Sequence, residues 1–289
     1  MVSPKPAETV TTSSSRQLSR PPTALTIAGS DSGGGAGIQA DLRTFSFHKV
    51  HGTSALTCVT AQNTMGVTRV DALPVEAVLA QIEAVICDIS PQAAKTGMLL
   101  NQDIIEAIAG YFTQQPIAHL VVDPVMVSRT GDTLIADGAI AALRDQLLPL
   151  ADVLTPNRYE AQILSGIEIS TLEEMQTAAQ RIYDLGPSAV MIKGGGFKGA
   201  LRGVDVWFDG QQLETLKTEQ VETIHTHGTG CTLSSAITAN LARGIEALPA
   251  VKNAKHYVTQ ALHHSLEIGQ GQGPVGHFYP LLTHTDAQS

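Results

Sequence analysis

Aromatic residues, basic clusters and long apolar runs are all scarce in this chain of 289 residues. Only 4% of the residues are aromatic, which argues against a surface that stacks on single-stranded nucleic acid. The formal net charge is -9, and no cluster of lysine and arginine offers a surface to nucleic acid or to an anionic membrane. No apolar run approaches the length of a membrane span, so we expect neither a nucleic-acid partner nor a membrane.

Two further absences limit the kinds of binding site that the chain can form. The cysteines Cys58, Cys87 and Cys231 lie far apart, with neither the spacing of a zinc site nor the density of a disulfide scaffold. This cysteine usage fits a reducing cytoplasm best. No glycine is followed by lysine anywhere in the chain, which excludes a Walker A loop, so any phosphate must be bound by another device.

Strand and helix signals alternate along most of the chain. Predicted strands cover 24–28, 53–60, 93–99, 120–126, 152–155 and 189–193, followed by a hairpin over 204–208 and 212–216. Predicted helices cover 38–48, 75–88, 103–114, 139–148, 160–164, 172–185, 231–243 and 251–267. This alternation predicts an α/β fold of three layers, with a mainly parallel central sheet covered by helices on both faces.

The ends of the chain differ in composition from its middle. Residues 1–22 are rich in serine, threonine and proline and lack an apolar period, which predicts a disordered extension. Their excess of basic residues is also a feature of organellar transit peptides, but the missing amphipathic period favours a plain tail. We expect one domain over residues 23–282 and a short tail at 283–289.

The stretch from His227 to Thr232 is the strongest candidate for a functional loop. Two glycines and a threonine precede a long apolar-periodic segment, and the free N–H groups and dipole at such a helix start attract anions. Cys231 stands where a helix N-terminus should lower a thiol pKa from its reference value of about 8.5. The alternative interpretation is a tight turn followed by a small buried cysteine.

Other predicted strands end in polar residues, and ligands of parallel sheets bind beyond those ends. Asn157 and Glu160 could together hold a hydrated Mg²⁺, or could form a helix cap with its capping-box glutamate. Lys193 suits a phosphate contact, although an exposed lysine is the simpler interpretation. Gln62 could pair with a heterocycle through one donor and one acceptor, although most such residues belong to turns.

A glycine-rich segment follows the first predicted strand. Residues 35–40 match the G-x-G-x-x-A pattern of dinucleotide-binding folds, which alone is a weak signal. The acidic residue expected about 20 positions later is missing, because no Asp or Glu lies between Asp41 and Asp71. A dinucleotide-dependent oxidoreductase therefore stays only as a rival hypothesis.

Taken in order, the motifs resemble those of a known family. They are AGSDSGGGAGIQADLRTFS, TAQNTMGV, KTGML, VVDPVM, TPNRYEA, MIKGGG, HGTGCTLS and the ending GQGPVGHFYPLL. This set resembles the hydroxymethylpyrimidine/phosphomethylpyrimidine kinases of thiamine biosynthesis, which have a ribokinase-like fold, and the likeness runs from about residue 24 to 282. Thr60 departs from the pattern, since family members often have an apolar residue there, and Arg158-Tyr159 stands where they often have Leu-Pro.

The resemblance implies two successive phosphoryl transfers from ATP with Mg²⁺, first to a hydroxymethylpyrimidine and then to its monophosphate. It also implies a homodimer. Carried over position by position, it implies that Gln62, Gly29, Asp41, Met98 and Val125 bind the pyrimidine; that Lys193, Asn157 and Thr229 bind ATP; that Asp123 and Glu160 work with Mg²⁺; and that Gly228, Gly230 and Cys231 form the anion hole and the base.

Two alternatives to a pyrimidine kinase remain. A pyridoxal kinase of the same superfamily phosphorylates a similar hydroxymethyl group, but Cys231 and the GPVGHF ending argue against it. A pyrimidine-binding protein without turnover would keep the pocket and consume no ATP.

Overall fold

The computed structural model of the chain describes residues 20–126, 137–197 and 199–282. A nine-stranded sheet runs through this part of the chain in the order β3-β2-β1-β4-β5-β6-β7-β8-β9. The strands are β1 (Thr23–Asp31), β2 (His51–Asn63), β3 (Gly66–Ala72), β4 (Ala93–Thr96), β5 (Leu120–Val122), β6 (Val153–Leu154), β7 (Val190–Ile192), β8 (Asp205–Phe208) and β9 (Leu213–Leu216). The predicted extension, apart from residues 20–22, and the predicted tail at 283–289 lie outside the described residues.

The centre of the sheet is parallel, as the alternation predicted. Strands β2, β1, β4, β5, β6 and β7 pair in parallel, whereas β3, β8 and β9 pair antiparallel at the two edges. The helices are α1 (Gly37–Phe47), α2 (Val75–Asp88), α3 (Gln102–Gln114), α4 (Asp137–Ala142), α5 (Arg158–Ser165), α6 (Leu172–Tyr183), α7 (Thr229–Ala242), α8 (Ala247–His263) and α9 (Tyr279–Leu282). None of the described helices combines the length and the apolar character that crossing a bilayer requires.

Side chains of the central strands alternate between two separate cores. Along β5, Leu120 and Val122 join the core formed with helices α2 to α6, whereas Val121 joins the core formed with α1, α7 and α8. This is the period of two expected of a strand, and it produces three layers because both faces are apolar. The predicted fold class is confirmed.

Helix α7 lies in the second core and is buried around most of its circumference. Residues 232–242 are all buried, between α1 and α8 and against the sheet. Small side chains such as Ser234, Ala236 and Ala239 let these neighbours approach closely. This packing fixes the N-terminus of α7 at the edge of the sheet where the parallel strands end.

The structure differs from the sequence expectation at several elements, among them the unpredicted helix α9 and the two considered next, β3 and α8. Strand β3 was not predicted, because its residues are all exposed and show no alternation of apolar and polar side chains. Helix α8 begins at Ala247, whereas the predicted helix began at Val251. The prediction started after Pro249, but proline is tolerated in the first turn of a helix, where its missing N–H would have no intrahelical partner.

A buried ion pair fastens α8 to the sheet. The ammonium of Lys255 lies 2.6 Å from Asp205 Oδ2 and donates to the carbonyl of Gly203 at 2.7 Å. The other carboxylate oxygen, Asp205 Oδ1, accepts the N–H of Gly194 at 2.7 Å. The pair therefore also holds the glycine-rich loop that follows β7.

Replacing Lys255 with methionine should leave the Asp205 carboxylate buried without its cation, and the free energy of unfolding should fall by about 3–5 kcal/mol. Lys252 offers a matched control on the same helix, because it pairs with Glu214 at 2.7 Å with side chains 48% and 36% exposed. Lys252→Met should cost no more than about 1 kcal/mol. Urea unfolding measures both variants, and equal losses would contradict a special contribution from the buried pair.

Candidate active site at the start of helix α7

Helix α7 begins in a loop, residues 227–231, whose shape requires glycine. We call it the α7 loop or, for its expected ligand, the anion-binding loop. Gly228 has a φ of 81°, in the left-handed region, and a Cβ at this position would overlap the carbonyl oxygen of Gly35. Within the described part of the chain, no side chain caps this end of the helix. Residues 228–231 line the cleft in front of it. First-turn N–H groups and the helix dipole favour an anion at such a place.

The C-terminal segment braces this loop. His227 and Pro274 form a short parallel bridge, and Thr232 Oγ1 lies 2.9 Å from His277 Nε2. Burial lowers the pKa of His277 to about 4, so its imidazole is neutral at physiological pH. Tyr257 donates its hydroxyl to the carbonyl of His277 at 2.7 Å. The C-terminal segment, which resembles the family's C-terminus, therefore contacts and stabilises the anion-binding loop.

A cleft of about 590 Å³ opens at the carboxyl ends of β5, β6 and β7. Its lining brings together the predicted residues Asp123, Val125, Asn157, Glu160, Lys193, Gly228, Thr229, Gly230 and Cys231. The parallel strands place their carboxyl ends along one edge of the sheet, which explains why residues so distant in sequence meet here.

Two predicted residues form an ion pair across the cleft floor. Lys193 Nζ lies 2.7 Å from Asp123 Oδ1, with side chains 14% and 3% exposed. Burial opposes the charge on Lys193, but the carboxylates of Asp123 and Glu160 outweigh it and raise the pKa of Lys193. The ammonium is therefore charged at neutral pH and lies at the end of β7, close to the anion-binding loop.

Asn157 and Glu160 form a capping box at the start of α5. Asn157 Oδ1 accepts the N–H of Glu160 at 3.0 Å, and Glu160 Oε2 accepts the N–H of Asn157 at 2.7 Å. The second oxygen, Glu160 Oε1, accepts the N–H of Met126 at 3.3 Å. Burial raises the pKa of Glu160 to about 7; Lys193 opposes this rise and Asp123 adds to it. Glu160 therefore forms the helix cap that was one of the two alternatives, and it also lines the cleft.

The metal chemistry of the cleft is limited by these contacts. Among the described residues, no group of three or more His, Cys, Asp and Glu side chains is arranged to hold a metal ion directly. Asp123 and Glu160 face the cleft, but N–H, ammonium and hydroxyl groups already engage their oxygens. This donor set fits a hydrated Mg²⁺ that is held through its water shell, which is the usual form of protein-bound Mg²⁺.

Cys231 lies in the first turn of α7, where the N–H of Gly37 donates to its sulfur. The predicted lowering of its pKa is wrong. Burial raises the pKa of the Cys231 thiol to about 11; Lys95 opposes this rise, and the carboxylates of Asp41 and Asp123 add to it. The helix end is a weaker influence than the loss of water around the sulfur, so at neutral pH Cys231 is a thiol.

Three of the residues predicted to bind the pyrimidine are not part of the cleft lining: Gly29 in β1, Gln62 in β2 and Met98 just after β4. Val125, just after β5, is part of it. A Cβ on Gly29 would lie 2.7 Å from Cys58 Sγ and 2.9 Å from Met98 Cε, so Gly29 and Met98 pack directly against each other. Gln62 Nε2 lies 3.4 Å from His227 Nε2, which connects it to the loop before α7. Gln62 therefore contacts His227, which lines the cleft.

Asp41 requires a correction, because its side chain is fully buried beneath the site and is not part of its lining. Its carboxylate accepts from Lys95 Nζ at 3.0 Å, from Thr26 Oγ1 at 2.6 Å and from the hydroxyl of Ser235. The aspartate therefore links β1, β4 and α7 under the pocket. Sequence position alone placed Asp41 one turn into α1 and could not show which way its side chain points.

Two charged residues near the site received no role from the sequence. Lys95 is fully buried, and burial opposes its charge, but the neighbouring carboxylates of Asp41 and Asp123 outweigh this and the pKa of Lys95 is raised. A lysine inside a buried strand is unusual, and that signal could have identified it. Asp31 lies 2.8 Å from His227, which no sequence spacing indicates because the two are 196 positions apart.

The sequence and the fold have counterparts among known proteins. Over residues 31–276 the chain matches the family model described as phosphomethylpyrimidine kinase. It is 65% identical to a hydroxymethylpyrimidine/phosphomethylpyrimidine kinase of Synechococcus elongatus, covering 90% of this chain and 99% of the relative. A solved phosphomethylpyrimidine kinase of Clostridium difficile is 43% identical with a TM-score of 0.76, covering 83% of this chain and 99% of the other.

A solved pyridoxal kinase of Bacillus subtilis in an ADP complex is similar as well. It is 42% identical with a TM-score of 0.85, and the match covers 91% of this chain and all of the other. The chain is therefore a kinase of this α/β class. It belongs to the phosphomethylpyrimidine kinase family, as its motifs predicted.

The shape of the anion-binding loop yields a direct test. Gly244 has a φ of 78°, and a Cβ there would meet no atom within 4 Å, whereas Gly228 has a similar φ and its Cβ would meet the Gly35 carbonyl. Gly244→Ala should cost about 1–2 kcal/mol through backbone strain alone. Gly228→Ala should cost more in urea unfolding and abolish ATP turnover. If the two variants lose equal stability and both keep turnover, close packing against Gly35 is not required.

Proposed function

We propose that this protein is an ATP-dependent kinase of thiamine biosynthesis that acts twice on one pyrimidine. It phosphorylates the hydroxymethyl group of 4-amino-5-hydroxymethyl-2-methylpyrimidine and then adds a second phosphate to the monophosphate. The observation that supports this most strongly is the cleft that unites the α7 loop, Lys193 and two carboxylates. Phosphoryl transfer depends on positioning and charge neutralisation, and these groups supply both.

Pyridoxal kinase is the second candidate, because a solved pyridoxal kinase shares the fold at 42% identity. We favour the pyrimidine because the relative at 65% identity is named for it. An ATP-consumption assay with the hydroxymethylpyrimidine, its monophosphate and pyridoxal, side by side, separates the two. Turnover of pyridoxal without turnover of either pyrimidine would overturn the proposal.

The pyrimidine lies between β2 and the α7 loop in this proposal. Gln62 pairs with the ring edge through its donor and its acceptor, and Gly29, Met98 and Val125 form apolar walls. Asp41 acts from beneath: its hydrogen bonds to Lys95 and Ser235 hold the strands and α7 in place. Its role is therefore support of the pocket and not contact with the ring.

The phosphates of ATP lie on the opposite side of the same loop. The N–H groups of Gly228, Thr229 and Gly230 receive the charge that develops on the transferred phosphoryl group, since helix starts bind anions in this way. Lys193 neutralises phosphate oxygens after its ammonium turns from Asp123, which it contacts here at 2.7 Å. Asn157, at the rim of the cleft, borders the nucleotide.

Asp123 and Glu160 hold the Mg²⁺ that accompanies ATP, through water. When bound, the ion neutralises phosphate charge. Burial raises the pKa of Glu160 to about 7, and a bound cation would favour its ionised form at neutral pH. The capping box keeps Glu160 oriented toward the cleft, so its two roles are compatible.

Cys231 accepts the proton of the hydroxymethyl group as the bond to phosphorus forms. A hydroxymethyl group is a poor nucleophile at neutral pH, and a positioned base contributes about 10²–10⁴-fold to such steps. With a pKa of about 11, the thiol is rarely ionised but strongly basic when it is. The second transfer needs no such base, because a phosphate monoester is already largely ionised near its second pKa of about 6.

Cys231→Ala should therefore impair phosphorylation of the alcohol far more than phosphorylation of the monophosphate. In the unmodified protein, the rate with the alcohol should rise about tenfold per pH unit from pH 7 to 9, because the thiolate fraction rises by that factor below the pKa. The monophosphate reaction is the internal control, measured in the same pH series. Equal losses in both reactions, together with a flat pH profile for the alcohol, would contradict a base and indicate positioning.

Glu160→Gln should raise the Mg²⁺ concentration needed for half-maximal rate, because the amide cannot carry the charge that orders the ion's water shell. The matched control is Glu174, which closes a second capping box at the start of α6 and accepts the N–H of Thr171 at 2.9 Å. Glu174→Gln should cost about 1 kcal/mol or less and leave the Mg²⁺ requirement alone. If Glu160→Gln behaves like this control, Glu160 is only a capping residue.

We also propose a homodimer formed through the β2–β3 edge of the sheet. Apolar side chains are exposed there: Val59 is 44% exposed, Met65 71%, Val67 51% and Val70 43%. An edge strand also presents unpaired backbone groups, which natural proteins usually cover. Sedimentation velocity reports the mass in solution, and a monomer at micromolar concentration would contradict the dimer.

We propose one kinase domain over residues 23–282, supported by the sheet that starts at Thr23 and by the C-terminal segment that braces the α7 loop. Cys58, Cys87 and Cys231 are all free thiols, which supports a reducing cytoplasm.

A further inference from the structure

A chain of polar contacts runs from the end of β1 through His227 to Gln62. Asp31 Oδ2 lies 2.8 Å from His227 Nε2, and that nitrogen lies 3.4 Å from the amide of Gln62. The other end of the amide lies 3.2 Å from Thr60 Oγ1, which in turn lies 2.9 Å from the carbonyl oxygen of Ser30. Thr60 is 4% exposed and Asp31 3%, so water competes little for these contacts.

Asp31 determines which atom of His227 carries hydrogen. Burial alone would raise the pKa of Asp31, but hydrogen bonds from His227, Ala36 and Gly33 outweigh it, so the pKa is lowered and the group is a carboxylate. A carboxylate only accepts hydrogen bonds. His227 Nε2 therefore donates to Asp31 and cannot accept a hydrogen bond from Gln62.

This constraint decides the orientation of the Gln62 amide. The oxygen and nitrogen of an amide have nearly the same size, and their hydrogen-bond partners assign them. If the oxygen faces His227, it accepts from the imidazole N–H, and the nitrogen donates to Thr60 Oγ1. The Thr60 hydroxyl then donates to the carbonyl of Ser30. In this arrangement every donor meets an acceptor, whereas the opposite one sets two N–H groups against each other.

Gln62 then presents one remaining acceptor on the side of His227 and one remaining donor on the side of Thr60. On the proposed substrate, the ring nitrogen, the amino group and the hydroxymethyl group follow one another along one edge. The ring nitrogen accepts from the Gln62 nitrogen, and the amino group donates to the Gln62 oxygen. The hydroxymethyl group, next in line, then points past His227 toward the loop at 228–231.

We propose that Asp31, His227 and Thr60 are positioning residues that fix the Gln62 amide, and that this orientation directs the hydroxymethyl group of the aminopyrimidine toward the α7 loop. The inference rests on the proposed function, in which Gln62 binds the ring. With the amide reversed, the same two hydrogen bonds form only when the ring turns over, and its hydroxymethyl group then points away from the phosphate.

The experiment compares kcat with the dissociation constant of the pyrimidine. A ring that is bound in the reversed orientation occupies the site without reacting, so it lowers kcat and leaves the dissociation constant almost unchanged. Thr60→Val removes the hydroxyl at constant shape and should lower kcat with the hydroxymethylpyrimidine about 2- to 10-fold, the factor for one net hydrogen bond. The dissociation constant of the pyrimidine, measured by calorimetry, should change less than about twofold. His227→Phe should act in the same way, and His227→Gln, which keeps an N–H donor, should restore most of the rate.

Thr53→Val is the matched control, because Thr53 on the same strand donates to the carbonyl of Ala24 at 3.0 Å, far from Gln62. It should cost similar stability and leave kcat unchanged. In a Gln62→Leu background, Thr60→Val should have no further effect, since its target is gone.

The outcomes separate this inference from the proposed function. If the unmodified protein does not phosphorylate the pyrimidine, or if Gln62→Leu binds and turns it over normally, the proposed function of the pocket fails. If the unmodified protein phosphorylates the pyrimidine and Gln62→Leu impairs the reaction, but Thr60→Val keeps full kcat or lowers it equally with and without Gln62, the positioning role is overturned.

Discussion

The carboxylate of Asp31 joins the two loops between which the site lies. It accepts N–H groups from Gly33 and Gly35 in the turn after β1, and it accepts the imidazole N–H of His227 before α7. Gly228 then seats the start of α7 against the Gly35 carbonyl. In the proposed function, β1 and β2 bind the pyrimidine and the loop before α7 binds phosphate, so one substrate can reach both only while these loops stay together.

Buried charge is arranged in pairs around this junction. Lys95 pairs with Asp41 beneath the pocket, and Lys193 pairs with Asp123 at its floor. Each pair avoids the cost of an isolated buried charge. The arrangement also leaves Cys231 among a lysine and two carboxylates in a site with little water, which explains why its thiol is protonated although it stands at a helix start. The same lack of water holds Glu160 near its titration point at neutral pH.

Much of this architecture follows from local pattern. Alternating strands and helices predicted the parallel sheet, and polar residues at the strand ends predicted which side chains would meet. Asp123, Lys193 and Glu160 do line one cleft, because the carboxyl ends of parallel strands share an edge. The same reasoning missed β3, whose exposed residues carry no periodic signal, and it could not choose between a metal ligand and a capping box for Glu160, which proves to serve as a cap.

The sequence by itself determined the family, the order of the elements and the identity of the loop at 227–232, because motifs and periodicity are local properties. Only the tertiary structure determined the environment of each side chain. It buried Asp41 under the site, raised the pKa of Cys231 and placed Asp31 against His227 across 196 positions. Burial and long-range contact set these properties, and neither has a local signature: the same thiol at an exposed helix start would have had a lowered pKa.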